Sequence, residues 1–589
     1  MLFEVSYEVC NKVGGIYAVL TSKSSYVGEK YGDNYFFVGP YFPEQAAIEF
    51  EEQAAPDEIA GVIDELVKEG IKCHYGKWVI DGKFNTLLID YSGYFHQTDN
   101  IKKMMWEFAQ VDSLYADSWF NDPIVWSTAA AVVMERIIKK TKKERVVVHF
   151  HEWLCGAGLL RLKQDKVDAA TVFTTHATVL GRALAAAGEP LYNIIEGKHD
   201  SQKNIELARW YNSLAKHTLE VASAKYADVF TTVSEVTAKE SEYILGRKPE
   251  PLLLNGINFD AYPGYEEATI RRRASRRQMR DFLVSYFNRY YEINFFNIRS
   301  FFISGRYEFH NKGIDAFIEA LGRLNERMKR EKTDKNAVAF IFIPAGTRSE
   351  NFEVLKNKAL YEEIKDHVSE FMPEIEEEVL HAVTNGQIPE KLLQREVKQK
   401  IKKLSQHFIG NRGGTPPLCA FELSSPVEQD MIMQALWKNK LLNLKEDKVK
   451  VIYYPSYLSS ADRLISLDYN DATLTCDVGV FPSYYEPWGY TPLETAAQCS
   501  IAVTTDLAGF GKFMEGKGDG VKTIRRNKRS WDDLVKDLSD VMFEVVNLSK
   551  EELLTRKINA KELASLADWR QFVKNYFTAY DTALRRHAK

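Results

Sequence analysis

Cysteine is scarce in this chain of 589 residues, and the six present (Cys10, Cys73, Cys155, Cys419, Cys476 and Cys499) include no Cys-x-x-Cys pair. Scattered thiols exclude a disulfide framework and a cysteine-based zinc site, and they point to a reduced, cytoplasmic protein. The opening Met-Leu-Phe-Glu-Val-Ser lacks a basic region followed by an apolar run, so no signal peptide is expected. No uninterrupted apolar stretch reaches the roughly 18 to 20 residues a bilayer demands, so no membrane partner is expected. A net charge of −5 gives no general attraction to nucleic acid or to anionic lipid.

What is present is an α/β pattern too long for one core. Short apolar runs at Tyr35 to Val38, Leu87 to Ile89, Val146 to Phe150, Thr171 to Thr174, Val229 to Thr232 and Leu252 to Leu254 read as buried strands. Helical patterns such as Trp126 to Lys140 and Ser201 to Ala227 lie between them. A second series, at Phe301 to Ser304, Ala337 to Pro344, Val449 to Tyr453 and Val478 to Phe481, predicts a second sheet. Alternating strands and helices predict doubly wound parallel sheets. Between Pro344 and Val449 the chain is charged and helical, with patterns at Glu353 to Glu378, Lys391 to His407 and Val427 to Leu442 and a Gly/Pro-rich loop at Gly410 to Pro417. The basic run Arg271 to Arg280 has no interleaved aromatics and acidic neighbours, so it reads as a solvated helix face, with Ser275 a possible kinase target.

The chemistry gathers in Phe481-Pro-Ser-Tyr-Tyr-Glu-Pro-Trp-Gly-Tyr-Thr-Pro-Leu-Glu494, which ends a strand, turns at Gly489 and opens a helix. Thr491 suits the N-cap, Pro492 the first helical position and Glu494 the reciprocal capping position. Backbone N–H groups around Gly489, Tyr490 and Thr491 then form an anion site of the kind a phosphate occupies. Glu486 and Glu494, with seven residues between them, bracket it. Other strand ends carry matching groups. Lys12-Val-Gly14-Gly15 follows the first strand. His149-Phe-His151-Glu152-Trp153 ends another strand, and Thr175-His176-Ala-Thr178 runs on to Arg182. Gly305-Arg306 and Lys312-Gly313 follow the first strand of the second series. An arginine fork and a lysine six residues later can both reach one diphosphate. His149 and His151 simply alternate along a strand, and no carboxylate-rich partner sits at ligand spacing, so no metal site is expected.

Tyr-Tyr-Glu-Pro-Trp-Gly-Tyr-Thr-Pro-x-Glu, Lys-Val-Gly-Gly-Ile-Tyr, His-Glu-Trp, Thr-Thr-His-Ala-Thr, Asn255-Gly-Ile-Asn258 and Gly-Arg-x5-Lys together resemble the eukaryotic-type glycogen synthase family. The resemblance spans essentially the whole chain. It implies the GT-B fold of retaining nucleotide-sugar glycosyltransferases: a first Rossmann-like domain over 1–255, and a second over 256–565 with a helical insertion at about 346–446. A last helix, 566–589, crosses back to the first domain. It implies transfer of glucose from UDP-glucose to the non-reducing 4-hydroxyl of an α-1,4-glucan such as glycogen. Arg306 and Lys312 would stabilise the leaving diphosphate, Glu486 and His176 would meet the glucose, and Tyr490 would stack on uracil while Glu494 takes the ribose. Lys12, Gly14, Gly15, Glu152, Arg182, Asn255, Tyr469, Trp488, Gly489 and Thr491 complete the donor site. The chain has no Asp-x-Asp, the metal–nucleotide signature of the other large glycosyltransferase fold, so no cofactor or divalent metal is expected. The insertion implies a homo-oligomer, a tetramer in preference. The family's dense arginine helix near the C-terminus, which binds glucose 6-phosphate, is here reduced to Lys550, Arg556, Lys557 and Lys561, and no phosphorylatable tails are expected; the expectation is a constitutive or differently regulated, prokaryotic member. The alternatives are ADP-glucose as donor, a different acceptor as in disaccharide-forming relatives, or a glycogen-associated scaffold without chemistry.

Overall fold

The computed structural model describes residues 1–295, 298–388, 395–409 and 414–588. Two sheets dominate. The first combines β1 (Leu2–Val5), β2 (Tyr35–Pro40), β3 (Phe50–Glu52), β4 (Lys72–Trp78), β5 (Asn85–Asp90), β6 (Val147–His151), β7 (Ala170–Thr175) and β8 (Val229–Thr232) in the order β3-β4-β5-β2-β1-β6-β7-β8. From β5 to β8 every pairing is parallel, while β3 and β4 add an antiparallel edge. Its central strands are buried along their whole length, as helices on both faces require.

The second sheet is parallel throughout. It contains β9 (Ile298–Ser304), β10 (Asn336–Phe342), β13 (Val449–Tyr453), β14 (Val478–Val480), β15 (Ile501–Thr505) and β16 (Val521–Ile524), ordered β13-β10-β9-β14-β15-β16. A two-stranded antiparallel ribbon, β11 (Thr347–Glu350) with β12 (Phe421–Leu423), stands at the root of the insertion. The insertion itself carries the long helices Phe352–Thr384 and Arg395–Ile409, which touch through Tyr361 and Phe408 and through Lys400 over the Phe371 ring. The start of the second predicted helix and the first four residues of the Gly410 to Pro417 loop lie outside the described residues.

The last helix, Trp569–His587, lies against the first sheet. The Tyr580 hydroxyl stands 3.1 Å from His149 Nδ1, the Trp569 indole donates to Ser22 Oγ at 2.8 Å, and Arg586 donates to the Asp228 carbonyl at 2.9 Å. One apolar cluster therefore runs from Leu2, Tyr35 and Phe37 through Trp569, Tyr576 and Tyr580 to Leu493 and Phe510 of the second half. Burying such large aromatics across the junction ties the two halves together.

Several local expectations are overturned. Leu252 to Leu254 forms no strand: of its backbone amides only that of Leu253 bonds back to β8, at Thr232. Ser201 to Ala227 is two helices, Ser201–Trp210 and Leu214–Tyr226, broken where Asn212 turns left-handed at φ +50°. The Arg271 to Arg280 face is not simply solvated: on the Tyr265–Phe287 helix, Arg272 donates to the carbonyls of Leu474 and Cys499, and Arg276 to Asp477. Ser275 is buried beside them and so is closed to a kinase.

His217 gives a pH prediction. It is buried on the Leu214–Tyr226 helix with Nδ1 unpartnered, and burial, with His199 nearby, pushes it down to about 4. Between that value and the ordinary 6.5 the unfolded chain takes up a proton that the native chain refuses, so stability falls as pH drops through this window. Replacing His217 by Leu should remove about 3 kcal/mol of the loss between neutral pH and pH ~4. Urea unfolding of both proteins across the window measures the difference, and parallel curves would contradict it.

Candidate functional site

Loops from the C-terminal ends of both sheets meet in one cleft. On the second-sheet side, the loop after β9 carries Arg306 and Lys312, and the loop after the neighbouring β14 carries Glu486. Lys312 Nζ donates directly to Glu486 Oε2, both side chains being 19% exposed. Arg306 is open to solvent and pairs with Glu308 at 2.7 Å. Its charge also reaches Glu8 on the first-sheet side.

The helix that closes the Phe481 to Glu494 stretch begins earlier than its sequence predicts. It spans Tyr490–Ala497, and the N-cap is Gly489 at φ +106°, a left-handed turn that favours glycine. Thr491 is thus already helical, with its carbonyl bonded to the Thr495 hydroxyl, and Glu494 closes no capping box. Burial raises the Glu494 carboxyl, opposed by Lys12, the predicted donor-loop cation. The Tyr469 hydroxyl, 2.8 Å from Ser304 Oγ, also lies in its field, and the Tyr490 hydroxyl donates to the Gly256 carbonyl at 3.2 Å. Trp488 does not reach the cleft. Its ring is buried among Phe510, Phe513 and Phe572, because the residue before Gly489 points into the core that joins the two halves.

On the first-sheet side, the glycine loop is already capped. Glu8 Oε2 accepts from the Gly14 N–H at 2.9 Å and the Tyr17 N–H at 2.8 Å, at the start of the Gly15–Tyr31 helix. A Cβ on Gly14 would stand 2.9 Å from the same carboxylate. The amide of Gly14, a residue expected in the donor site, is therefore held by a protein anion, and Glu8 is a cleft residue that no local motif announces. Burial raises its carboxyl, against the two amides and the charges of Arg306 and Arg182.

Glu152 sits at φ +70°, ψ 164°, a region that essentially only glycine visits. Its carboxylate accepts from the N–H groups of His176 at 2.8 Å and Ala177 at 3.2 Å, which fixes the turn after β7. Burial raises the Glu152 carboxyl, and Arg182 opposes this. Below that turn Glu240 accepts from the Thr178 hydroxyl at 2.6 Å and from the Tyr485 hydroxyl at 2.9 Å. Glu240 thus bonds the His176 turn to the residue before Glu486, across the cleft. Nothing around Glu240 in sequence marks it, since both partners lie far away in the chain. Asn255 is buried beside the crossing point with Oδ1 unpartnered among the described residues.

Glu4, His149 and His151 bring potential ligand atoms within 4.8 Å of one another. The ammonium of Lys23 already donates to that Glu4 carboxylate, so a lysine supplies the cation that the cluster needs.

The backbone at Glu152 generates a prediction with a sign. Glu152→Gly and Glu152→Ala both remove the carboxylate, but only glycine relieves the conformation, so the glycine variant should be the more stable by about 1–2 kcal/mol. Chemical unfolding of the two variants measures this, and equal or reversed stabilities would contradict the strain.

Comparisons with known proteins bear on the family and the fold. A family model described as glycogen synthase matches residues 4–588. The glycogen [starch] synthase of Neurospora crassa is 34% identical over 596 residues, covering 100% of this chain and 84% of that protein. The liver glycogen [starch] synthase of Homo sapiens is 34% identical over 594 residues, covering 100% and 84%. Among solved structures, the catalytic domain of starch synthase IV from Arabidopsis thaliana, bound to ADP and acarbose, aligns with a TM-score of 0.52 and 12% identity over 99% of both chains. That likeness concerns the fold, which is GT-B. On the match over its full length, this chain belongs to the glycogen synthase family.

Proposed function

We propose that the protein transfers glucose, with retention of configuration, from UDP-glucose to the non-reducing 4-hydroxyl of an α-1,4-glucan such as glycogen. The observation that carries this reading is the pairing of Lys312 with Glu486 at adjacent strand ends, with Arg182 of the first-sheet side in the field of Tyr485 and Glu308 from the same two loops as well as of Glu152. A diphosphate entering the cleft replaces Glu486 as the partner of Lys312, and Arg306 turns from Glu308 to join it. The N-terminus of the Tyr490–Ala497 helix adds its dipole. Together they stabilise charge on the leaving group, the contribution that fixed cations and dipoles make in a water-poor site. Glu486, released from Lys312, meets the glucose hydroxyls and the positive charge developing at the anomeric carbon. The bond from that carbon to the phosphate oxygen breaks while the bond to the acceptor oxygen forms on the same face. The acceptor proton passes to the departing phosphate, so atoms and charge balance without a metal.

Exposed Val368, Met372, Leu380, Val383 and Ile401 on the insertion helices support self-association, a tetramer in preference. Light scattering gives the mass. Six free, buried cysteines support a cytoplasmic protein, and no helix among the described residues is long and apolar enough to cross a membrane. Three of the four cations near the C-terminus are engaged: Arg556 with Glu544, Lys557 with Asp477, and Lys561 with the Ala497 carbonyl. That supports a synthase indifferent to glucose 6-phosphate.

Transfer of labelled glucose onto glycogen in EDTA, with UDP-glucose or ADP-glucose and with or without glucose 6-phosphate, tests the reading. Transfer is expected from UDP-glucose, unchanged by the sugar phosphate, and Lys312→Ala should lower kcat by about 10²–10³-fold. Transfer from ADP-glucose alone reassigns the donor. No transfer from either by folded protein contradicts the assignment.

A further inference from the structure

Beneath the first-sheet side of the cleft, Glu4 of β1 is wholly buried and accepts three hydrogen bonds: from Lys23 Nζ, from the Tyr35 hydroxyl and from His151 Nε2 at 2.8 Å. His151 Nδ1 in turn stands 3.0 Å from His176 Nε2. Strand pairing builds this row: β1, with Glu4, lies between β2, which opens at Tyr35, and β6, which ends at His151, and His176 directly follows β7, the strand next to β6.

The proton positions follow from what each atom is able to do. Burial would raise the Glu4 carboxyl, but Lys23 and His151 outweigh it and hold it well below the ordinary range. An ionised carboxylate only accepts, so His151 Nε2 carries hydrogen. A second proton on His151 Nδ1 would create a buried imidazolium close to the Lys23 ammonium. Burial already lowers the pKa of both His151 and His176, which opposes that charge. His151 Nδ1 is therefore a lone pair and accepts from His176 Nε2–H. Neutral His176 is left with a lone pair on Nδ1, for which no protein hydrogen bond exists among the described residues. His149 does not compete for any of these atoms, since it bonds Thr174 Oγ1 at 2.7 Å and the Tyr580 hydroxyl at 3.1 Å.

We propose that Glu4 is a positioning residue that acts through His151 to fix His176 in the Nε2–H tautomer, so that His176 Nδ1 meets bound substrate as a hydrogen-bond acceptor and selects a hydroxyl. The part played by substrate rests on the reading of the cleft given above; the order of hydrogen bonds does not. The neighbouring Arg182 offers only donors, so the two side chains divide the work: the arginine takes phosphate or carbonyl oxygens and the histidine takes a sugar hydroxyl.

Nitrogen-15 NMR of the full chain labelled in histidine reads the tautomer directly. Wild-type His176 should show a protonated Nε2 and a pyridine-like Nδ1 at neutral pH. His151→Phe removes the acceptor, and His176 should then populate both tautomers, with kcat for glucose transfer falling about tenfold, the worth of one hydrogen bond. His151→Gln, whose amide is able to donate to Glu4 and accept from His176, should restore tautomer and rate together. A wild-type His176 protonated on Nδ1, an unchanged tautomer in His151→Phe, or a folded His151→Gln protein that recovers neither property would overturn the proposal. A wild-type chain that transfers no glucose overturns the reading of the cleft, while the tautomer upholds or overturns the relay by itself.

Discussion

The contact between Lys312 and Glu486 sets the terms for the rest of the cleft. Two opposite charges, each mostly withdrawn from water at the ends of adjacent parallel strands, must hold each other until something replaces one of them. A nucleotide diphosphate is a better partner for the lysine than one carboxylate is, and the hydroxyls of a sugar are suitable partners for the glutamate. On the proposed reading the ion pair is the complement of the bound state, with protein groups standing where donor groups would bind. Glu8 repeats the arrangement on the other side, where its carboxylate holds the Gly14 and Tyr17 amides at the head of the first helix.

The first-sheet side spends its polar groups differently. Glu4, Lys23, Tyr35, His151 and His176 form one buried row of donors and acceptors in which every proton has an assigned place. Buried polar rows of this kind are costly when broken and rigid when complete. The row ends at the turn that Glu152 fixes through a strained backbone, and Glu240 bonds that turn to the Glu486 loop. Orientation at His176 and at Glu486 therefore depends on the same few side chains, although the two residues sit on different sheets.

Much of this is legible in the sequence. Strand, glycine turn and helix at Phe481 to Glu494, and the arginine and lysine after Phe301 to Ser304, are local patterns whose chemistry is carried by neighbours in sequence. The antiparallel edge formed by β3 and β4 was not legible, since Lys72–Trp78 mixes lysine, histidine and glycine with its apolar residues. Thr491 looked like a cap because its side chain suits one, yet Gly489 takes the cap by adopting a left-handed turn. Trp488 lay inside a motif and still faces the core. Ser275, within a basic run, is covered because Arg272 and Arg276 reach inward to carbonyls and to Asp477. Glu8, Glu240 and the tautomer of His176 depend on partners scattered over the chain, and only the fold brings those together.

The most direct test of the exchange at Lys312 is a double-mutant cycle on the binding of UDP, without sugar or acceptor, measured by calorimetry in EDTA. If the diphosphate displaces Glu486 from Lys312, then Glu486→Gln should tighten UDP binding, Lys312→Ala should weaken it, and Glu486→Gln should have no effect once Lys312 is gone. Equal weakening by Glu486→Gln in both backgrounds would contradict the exchange and would make Glu486 a nucleotide ligand in its own right.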